Sequence, residues 1–264
     1  MEKKINKTTL VIKILALVAF LAMVIVNILG NTLPINNVTT GEIAEMYPDL
    51  FSPANYTFAI WSVIYILLAL YLVYQSGLIK SVKLKETLIM KINIYFIISS
   101  IANLFWIFAW HYDMMWLSLA LMLIIFISLL IIALEIKKHE MGLYDYIFIN
   151  IPFFVYFAWA TIATIANITT LLVSLGWNGW GIPDNIWMII VTVIGLAIGL
   201  FTIIRLRDIA YGIVFIWGYT GILVRHLTVL EGEFTEVIIT LAISLVLLFA
   251  ATVYNAIRLL KKES

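Results

Sequence analysis

Eight stretches of the chain are long enough and apolar enough to read as helices that cross a bilayer. They cover residues 9–30, 54–76, 89–110, 114–136, 147–170, 186–204, 209–226 and 235–258, against the roughly 20 apolar residues a spanning helix needs. Between the third and fourth lie only His111, Tyr112 and Asp113, and between the sixth and seventh only Arg205, Leu206, Arg207 and Asp208. Both joins predict tight helical hairpins, and the sixth and seventh spans read as the shortest. Gly176, Gly179, Gly181 and Pro183 interrupt the helical pattern at 171–185, a break that separates five helices from three. The expected organisation is therefore a five-helix bundle over 1–170, an outer loop over 171–185, and three further helices with a short tail over 186–264.

Charge then orients the spans. Lys3, Lys4, Lys7 and Lys13 precede or open the first, and Lys80, Lys83, Lys85 and Lys91 surround the second connection. Lys137 and Lys138, Arg205 and Arg207, and Arg258, Lys261 and Lys262 fill the fourth connection, the sixth and the tail. With eight spans all of these fall on one side, and of the 16 basic residues Arg225 alone falls on the other. By the positive-inside rule both termini face the cytoplasm of a cell with this protein in its plasma membrane. The opposite loops, 31–53, 111–113, 171–185 and 227–234, are acidic or neutral.

Composition fits this class. Of 264 residues, 64% are hydrophobic and 12% charged, about half the charge of a soluble domain. An all-α integral membrane protein follows, with the lipid bilayer as its first partner. A net charge of +1 and no basic domain leave no place for a nucleic-acid partner. The absence of cysteine removes disulfides, thiolate metal sites and thiol catalysis. The apolar run 14–30 is longer than a signal-peptide core and lacks a small-residue cleavage site, so it reads as a retained anchor.

No Asp, Glu, Lys, Arg or His lies well inside a span, which weighs against proton coupling and intramembrane ion paths. No catalytic motif is present, so an enzyme is not expected. His111 and His226 sit at the outer edge near Asp113 and Glu231; they read as interfacial histidines in short loops, with no metal site assigned.

The aromatic residues carry the most information. Trp110, Trp116, Trp177, Trp180 and Trp187 fall at the outer interface, as an aromatic belt would. Trp61, Trp106, Trp159 and Trp217 lie deeper. Helical spacing places Phe58, Trp61 and Tyr65 on one stripe, Ser99, Asn103, Trp106 and Trp110 on a second, and Tyr156, Trp159, Ala163 and Asn167 on a third. Lipid-facing stripes have no use for Asn103 or Asn167, because buried amides want partners. Two readings stay open: a packed interior tied by asparagines, or a pocket in the outer half of the bundle with aromatic walls and a few orienting polar groups.

These residues resemble the TspO/translocator-protein family, the tryptophan-rich sensory or peripheral-type benzodiazepine receptor-like proteins. Pro53, Tyr56, Phe58, Trp61 and Tyr65 match the start of the family's second helix. Asn103 and Trp106 match its N-x-x-W, and Trp159, Ala163 and Asn167 its Trp-Ala-Asn series. The likeness is read over residues 9–170, the first five helices, with three more beyond it. The family's proline between Phe and Trp is missing; Ala59 and Ile60 stand there. Tyr56 replaces a tryptophan, and Pro152 is displaced by three residues relative to Trp159.

The resemblance implies a receptor or sensor for flat hydrophobic ligands, porphyrins or other tetrapyrroles or sterols, with no required cofactor and haem or porphyrin as ligand. Pro53, Tyr56, Phe58, Trp61, Tyr65, Asn103, Trp106, Tyr156, Trp159, Ala163 and Asn167 would line its pocket. The loop 31–53, turning at Pro34, Gly41 and Pro48, would be a lid closed by Phe51. Pro53 would open the second helix, and Asn55 and Thr57 would serve its rim. Other readings are a small-molecule permease or exporter, a regulatory subunit binding partner helices, and an enzyme acting on a tetrapyrrole. A homodimer fits any of them.

Overall fold

The computed structural model describes residues 7–33, 35–47, 49–79 and 86–263. Lys3, Lys4, Pro34, Pro48, Lys80, Lys83 and Lys85 lie outside the described residues. Among the described residues all regular structure is helical: α1 (Lys7–Thr32), α2 (Thr40–Met46), α3 (Ile60–Gln75), α4 (Glu86–His111), α5 (Met115–Ile136), the single turn α6 (Leu143–Asp145), α7 (Ile151–Ser174), α8 (Asp184–Leu206), α9 (Ile209–Thr228) and α10 (Thr235–Glu263). Eight helical segments among the described residues are long and apolar enough to cross a membrane, so the chain is a multi-span membrane protein. Large apolar side chains such as Phe105, Phe201, Val246 and Phe249 are exposed, which water would penalise and lipid would not.

Two helices depart from the expected lengths for local reasons. The sixth span is not among the shortest: Asp184–Leu206 has 23 residues, because Pro183, with its fixed φ, sits before the first helical residue and Arg205 still lies within the last turn. The fifth span begins earlier, at Leu143, and runs to Ser174. Its Pro152 has no N–H for the carbonyl one turn back, and the five residues Tyr146–Asn150 open into a π-turn. Such turns absorb an interruption of the α ladder without ending the helix.

The described contacts divide the chain into two compact units: Met1–Thr40 with Trp61–Ala160, and Gly41–Ile60 with Thr161–Ser264. The boundary falls within α7.

In the first unit α4 packs against both α1 and α5. Its residues Asn93, Phe96, Ser99, Ser100, Asn103, Trp106, Ile107 and Trp110 are buried. At one end Lys13 Nζ donates to the Gln75 carbonyl at 2.7 Å. Asn93 Nδ2 donates to Gln75 Oε1 at 2.7 Å, and Tyr71 OH to Asn93 Oδ1 at 2.7 Å. The Lys91–Glu135 pair, 3.4 Å apart, joins α4 to α5.

In the second unit α8 and α9 pack against α10. Asp208 starts α9 by accepting the Tyr211 backbone N–H at 3.0 Å, the usual role of an aspartate before a helix. Gly221 of α9 must be a glycine. A Cβ there would collide with the Thr57 side chain, and the Gly221 carbonyl accepts the Ala54 N–H at 3.0 Å. Segment 49–59 is thus fastened to α9 backbone to backbone at Ala54.

The loop expected as a lid has structure of its own. Gly41 does not make a turn; it lies in the first turn of α2, where a Cβ would crowd the Asn55 amide. Pro53 does not open the second span either. Ala54 precedes a 3₁₀ segment, Asn55–Ala59, and the α-helix follows.

Candidate functional site

In the first unit, α3 carries Trp61 and Tyr65 four residues apart, and α4 carries Trp106 and Trp110 at the same spacing. Each pair stacks along its own helix, with centroids 5.8 Å apart at 24° and 5.6 Å apart at 21°. Trp61 meets Trp106 at 6.5 Å and 33°, so the four rings form one column. From α7, Tyr156 and Trp159 approach Trp61 edge-on at 5.9 Å and 6.3 Å. Edge-to-face and offset contacts of this kind match the ring quadrupoles.

One side of the column is polar. Asn27 Nδ2 donates to Asn103 Oδ1 at 2.7 Å and to the Met23 carbonyl at 2.9 Å. Asn103 Nδ2 donates to Tyr156 OH at 3.3 Å. All three side chains are buried, where an unmade hydrogen bond would cost about 1–3 kcal/mol. At the end of the column Trp110 Nε1 donates to the Thr40 carbonyl at 3.1 Å. Trp61 and Tyr65 are half-buried, while Trp106, Trp110, Tyr156 and Trp159 are buried. The Tyr65 hydroxyl is shielded from solvent and has no hydrogen-bond partner, an unusual state for a polar group.

Six of the sequence candidates, Trp61, Tyr65, Asn103, Trp106, Tyr156 and Trp159, come together in this cluster. The others belong to the second unit. Phe51 is buried and meets Tyr219 edge-on at 6.4 Å. Pro53 is buried beside it in sequence, and Phe58 is half-buried. Tyr56 is 45% exposed and packs edge-on against Trp217 at 5.5 Å. Ala163 is half-buried, and Asn167, buried, donates to the Ala163 carbonyl at 2.9 Å within its own helix. Asn55 pairs with Glu45. Thr57 is buried, and its carbonyl accepts Trp217 Nε1 at 3.0 Å.

Three expectations need correction. Trp110 is not a belt residue; it is buried in the ring column, because the α4 stripe faces protein along its whole length. Trp116 and Trp180 are exposed, as belt residues are. His111 is not in a loop; it ends α4, buried, with Nδ1 donating to the Ile107 carbonyl at 2.7 Å. His226 is likewise buried, within α9, where Nε2 donates to the Leu50 carbonyl at 3.0 Å. Among the described residues no group of three or more His, Asp or Glu side chains is placed to hold a metal ion.

Sequence reasoning missed Asn27 and the role of Arg225. Asn27 was one more polar residue near the end of an apolar run, yet an amide inside a span is itself a signal of helix contact. Arg225 broke the charge parity. Its Nη1 donates to the Asp49 and Ser52 carbonyls, both at 3.0 Å. Asp49 in turn accepts the Phe51 and Ser52 N–H groups at 3.0 and 2.7 Å and the Ser52 hydroxyl at 2.7 Å. The Thr170 hydroxyl, at 3.4 Å, completes the set. Burial pushes the Asp49 carboxyl above the usual carboxylate range, while the Ser52 hydrogen bonds, the Arg225 guanidinium and the Phe51 N–H pull it partly back.

Among curated proteins and among solved structures nothing matches this chain. The sequence profile of the TSPO-like protein family matches residues 13–254. That match runs well past the helices over which the motifs were read, through α8 and α9 and most of α10. This chain is a member of the TSPO-like protein family.

Proposed function

We propose that the protein is a membrane receptor or sensor for a flat hydrophobic molecule, a tetrapyrrole or a sterol-like ligand, which it takes at the aromatic column of the first unit. What supports this reading is one observation: the buried, unpartnered Tyr65 hydroxyl beside two half-buried stacking rings. A guest lying against Trp61 and Tyr65 would find π faces, and a ligand oxygen could satisfy the hydroxyl. Asn27 fixes Asn103, which in turn donates to Tyr156, and this series holds the polar side rigid. A guest that arrives from lipid has already left water, so area burial adds less than the ~25 cal/mol per Å² of transfer from water. Ring contacts and one or two polar bonds then set selectivity. In this reading the chain sits in the plasma membrane with both termini in the cytoplasm.

The test uses the full-length protein in nanodiscs, titrated with protoporphyrin IX, haem and cholesterol, and read by tryptophan quenching and ligand absorbance. Each ring contact is worth roughly 0.5–1.5 kcal/mol. Trp61→Ala and Trp159→Ala should therefore each weaken binding about tenfold or more, and Tyr65→Phe should weaken it less while leaving stability unchanged. Undiminished affinity in both tryptophan variants would refute the placement.

A further inference from the structure

In the second unit, segment 49–57 is held along α9 by four residues. Arg225 takes the Asp49 and Ser52 carbonyls, His226 the Leu50 carbonyl, Gly221 the Ala54 N–H and Trp217 the Thr57 carbonyl. Of the four, His226 alone changes its protonation near neutral pH. The residue is 0% exposed. Its Nε2 donates to the Leu50 carbonyl at 3.0 Å, so the neutral ring keeps its proton there. Nδ1 is then a bare lone pair, and among the described residues no donor reaches it. Phe234 lies edge-on to the ring at 6.2 Å.

A second proton on this ring goes to Nδ1. It creates a buried N–H without an acceptor and a second cation one residue from the Arg225 guanidinium, and both are costly away from water. The neighbouring charges do not offset it. On the fastened segment, Asp49 Oδ1 accepts the Phe51 and Ser52 N–H groups and Oδ2 the Ser52 and Thr170 hydroxyls, which fills the carboxylate's acceptor positions. Glu231 and Glu233, in the turn after α9, are exposed, and Glu236, at the start of α10, is taken by the Asn185 amide. α7 brings the Thr170 hydroxyl, already given to Asp49. We propose that His226 is a pH-operated latch: its neutral ring clamps segment 49–57 to α9, and its protonation in mild acid releases that segment. The stretch that opens leads into the second span, Asn55–Gln75. Acid acts on Asp49 in the opposite sense, because its carboxyl, raised by burial, favours the folded segment once protonated. The latch is therefore read as a difference between chains with and without the imidazole.

The experiment is hydrogen exchange at the Ala54 amide, whose protection rests on the Gly221 carbonyl, in the full chain in nanodiscs, corrected for the intrinsic pH dependence of exchange. His226→Gln keeps a side-chain donor for Leu50 and does not titrate. Relative to that variant, the native chain should lose protection roughly tenfold or more between about pH 8 and about pH 5. His111→Gln removes a different histidine and should keep the native loss. The same pH dependence in the native chain and in His226→Gln, or a loss abolished equally by His111→Gln, overturns the latch. Should His226→Gln not fold, spectra of isotope-labelled histidine in the native chain decide. Protonation of His226 and the loss of Ala54 protection must then share one midpoint, and separate midpoints overturn the latch.

Discussion

At the residue scale, Arg225 is the instructive position. A cation on the acidic side of a membrane protein breaks the charge parity, and such exceptions ask for a local reason. Here the reason is a loop: the guanidinium caps two carbonyls at 49 and 52 while Asp49 gathers the donors around them. The sequence showed the exception but not its partner, because 176 residues separate Arg225 from Asp49 and no local pattern encodes such a pairing. The Asp49 carboxyl is held above its ordinary 3.8, burial being the largest cause. A carboxyl raised on folding holds its proton more tightly in the folded state than in the unfolded one. Its contribution to stability is therefore fully present below 3.8 and is lost as pH rises through the folded value. Relative to Asp49→Asn, which has no such proton, the native chain should gain thermal stability as pH falls through that window. Melting curves of the two proteins from neutral to acid pH measure this, and a difference that does not change with pH would show that Asp49 is not so shifted.

At the element scale, α7 shows what periodicity captures and what it misses. Tyr156, Trp159, Ala163 and Asn167 follow helical spacing, and the first two do share the ring cluster. The π-turn ahead of them was not legible, since a proline announces a disturbance without specifying how the chain absorbs it. Its consequence is a change of phase. One extra residue in a turn rotates everything before it by about 100° relative to a continuous α-helix. With that rotation, Asp145 receives the Tyr74 hydroxyl at 2.8 Å while Tyr156 and Trp159 still face the rings. Pro152→Ala would restore the missing donor and allow a regular helix, which would turn Asp145 away from Tyr74. Tyr74→Phe should then cost about 1–3 kcal/mol in the native background and much less in Pro152→Ala. A double-mutant cycle on thermal or chemical unfolding should return a coupling of roughly 1 kcal/mol or more. Additive effects would mean that the proline does not set the register.

At the scale of the whole molecule, the eight spans were legible because lipid imposes length and hydropathy on every crossing helix. The place of residues 41–60 was not, because it rests on contacts between distant segments. Residues 41–60, which lead into and open the second span, belong to one unit with the last three helices. Trp217 reaches Thr57, Gly221 holds Ala54, Arg225 holds Asp49 and Ser52, and His226 holds Leu50. All five of these contacts are hydrogen bonds to backbone groups that would otherwise need water or another partner. A chain cut after residue 175 keeps five spans but loses every α9 side of these contacts. Its segment 49–59 then loses its partners on α9, and local opening there should cost little. Brief protease treatment in nanodiscs should cleave the shortened chain within 49–54 while leaving the same peptide bonds of the full chain intact. Equal protection of both would show that the first five helices hold that segment unaided, and that α8–α10 are an appendage rather than half of the structure that fixes it.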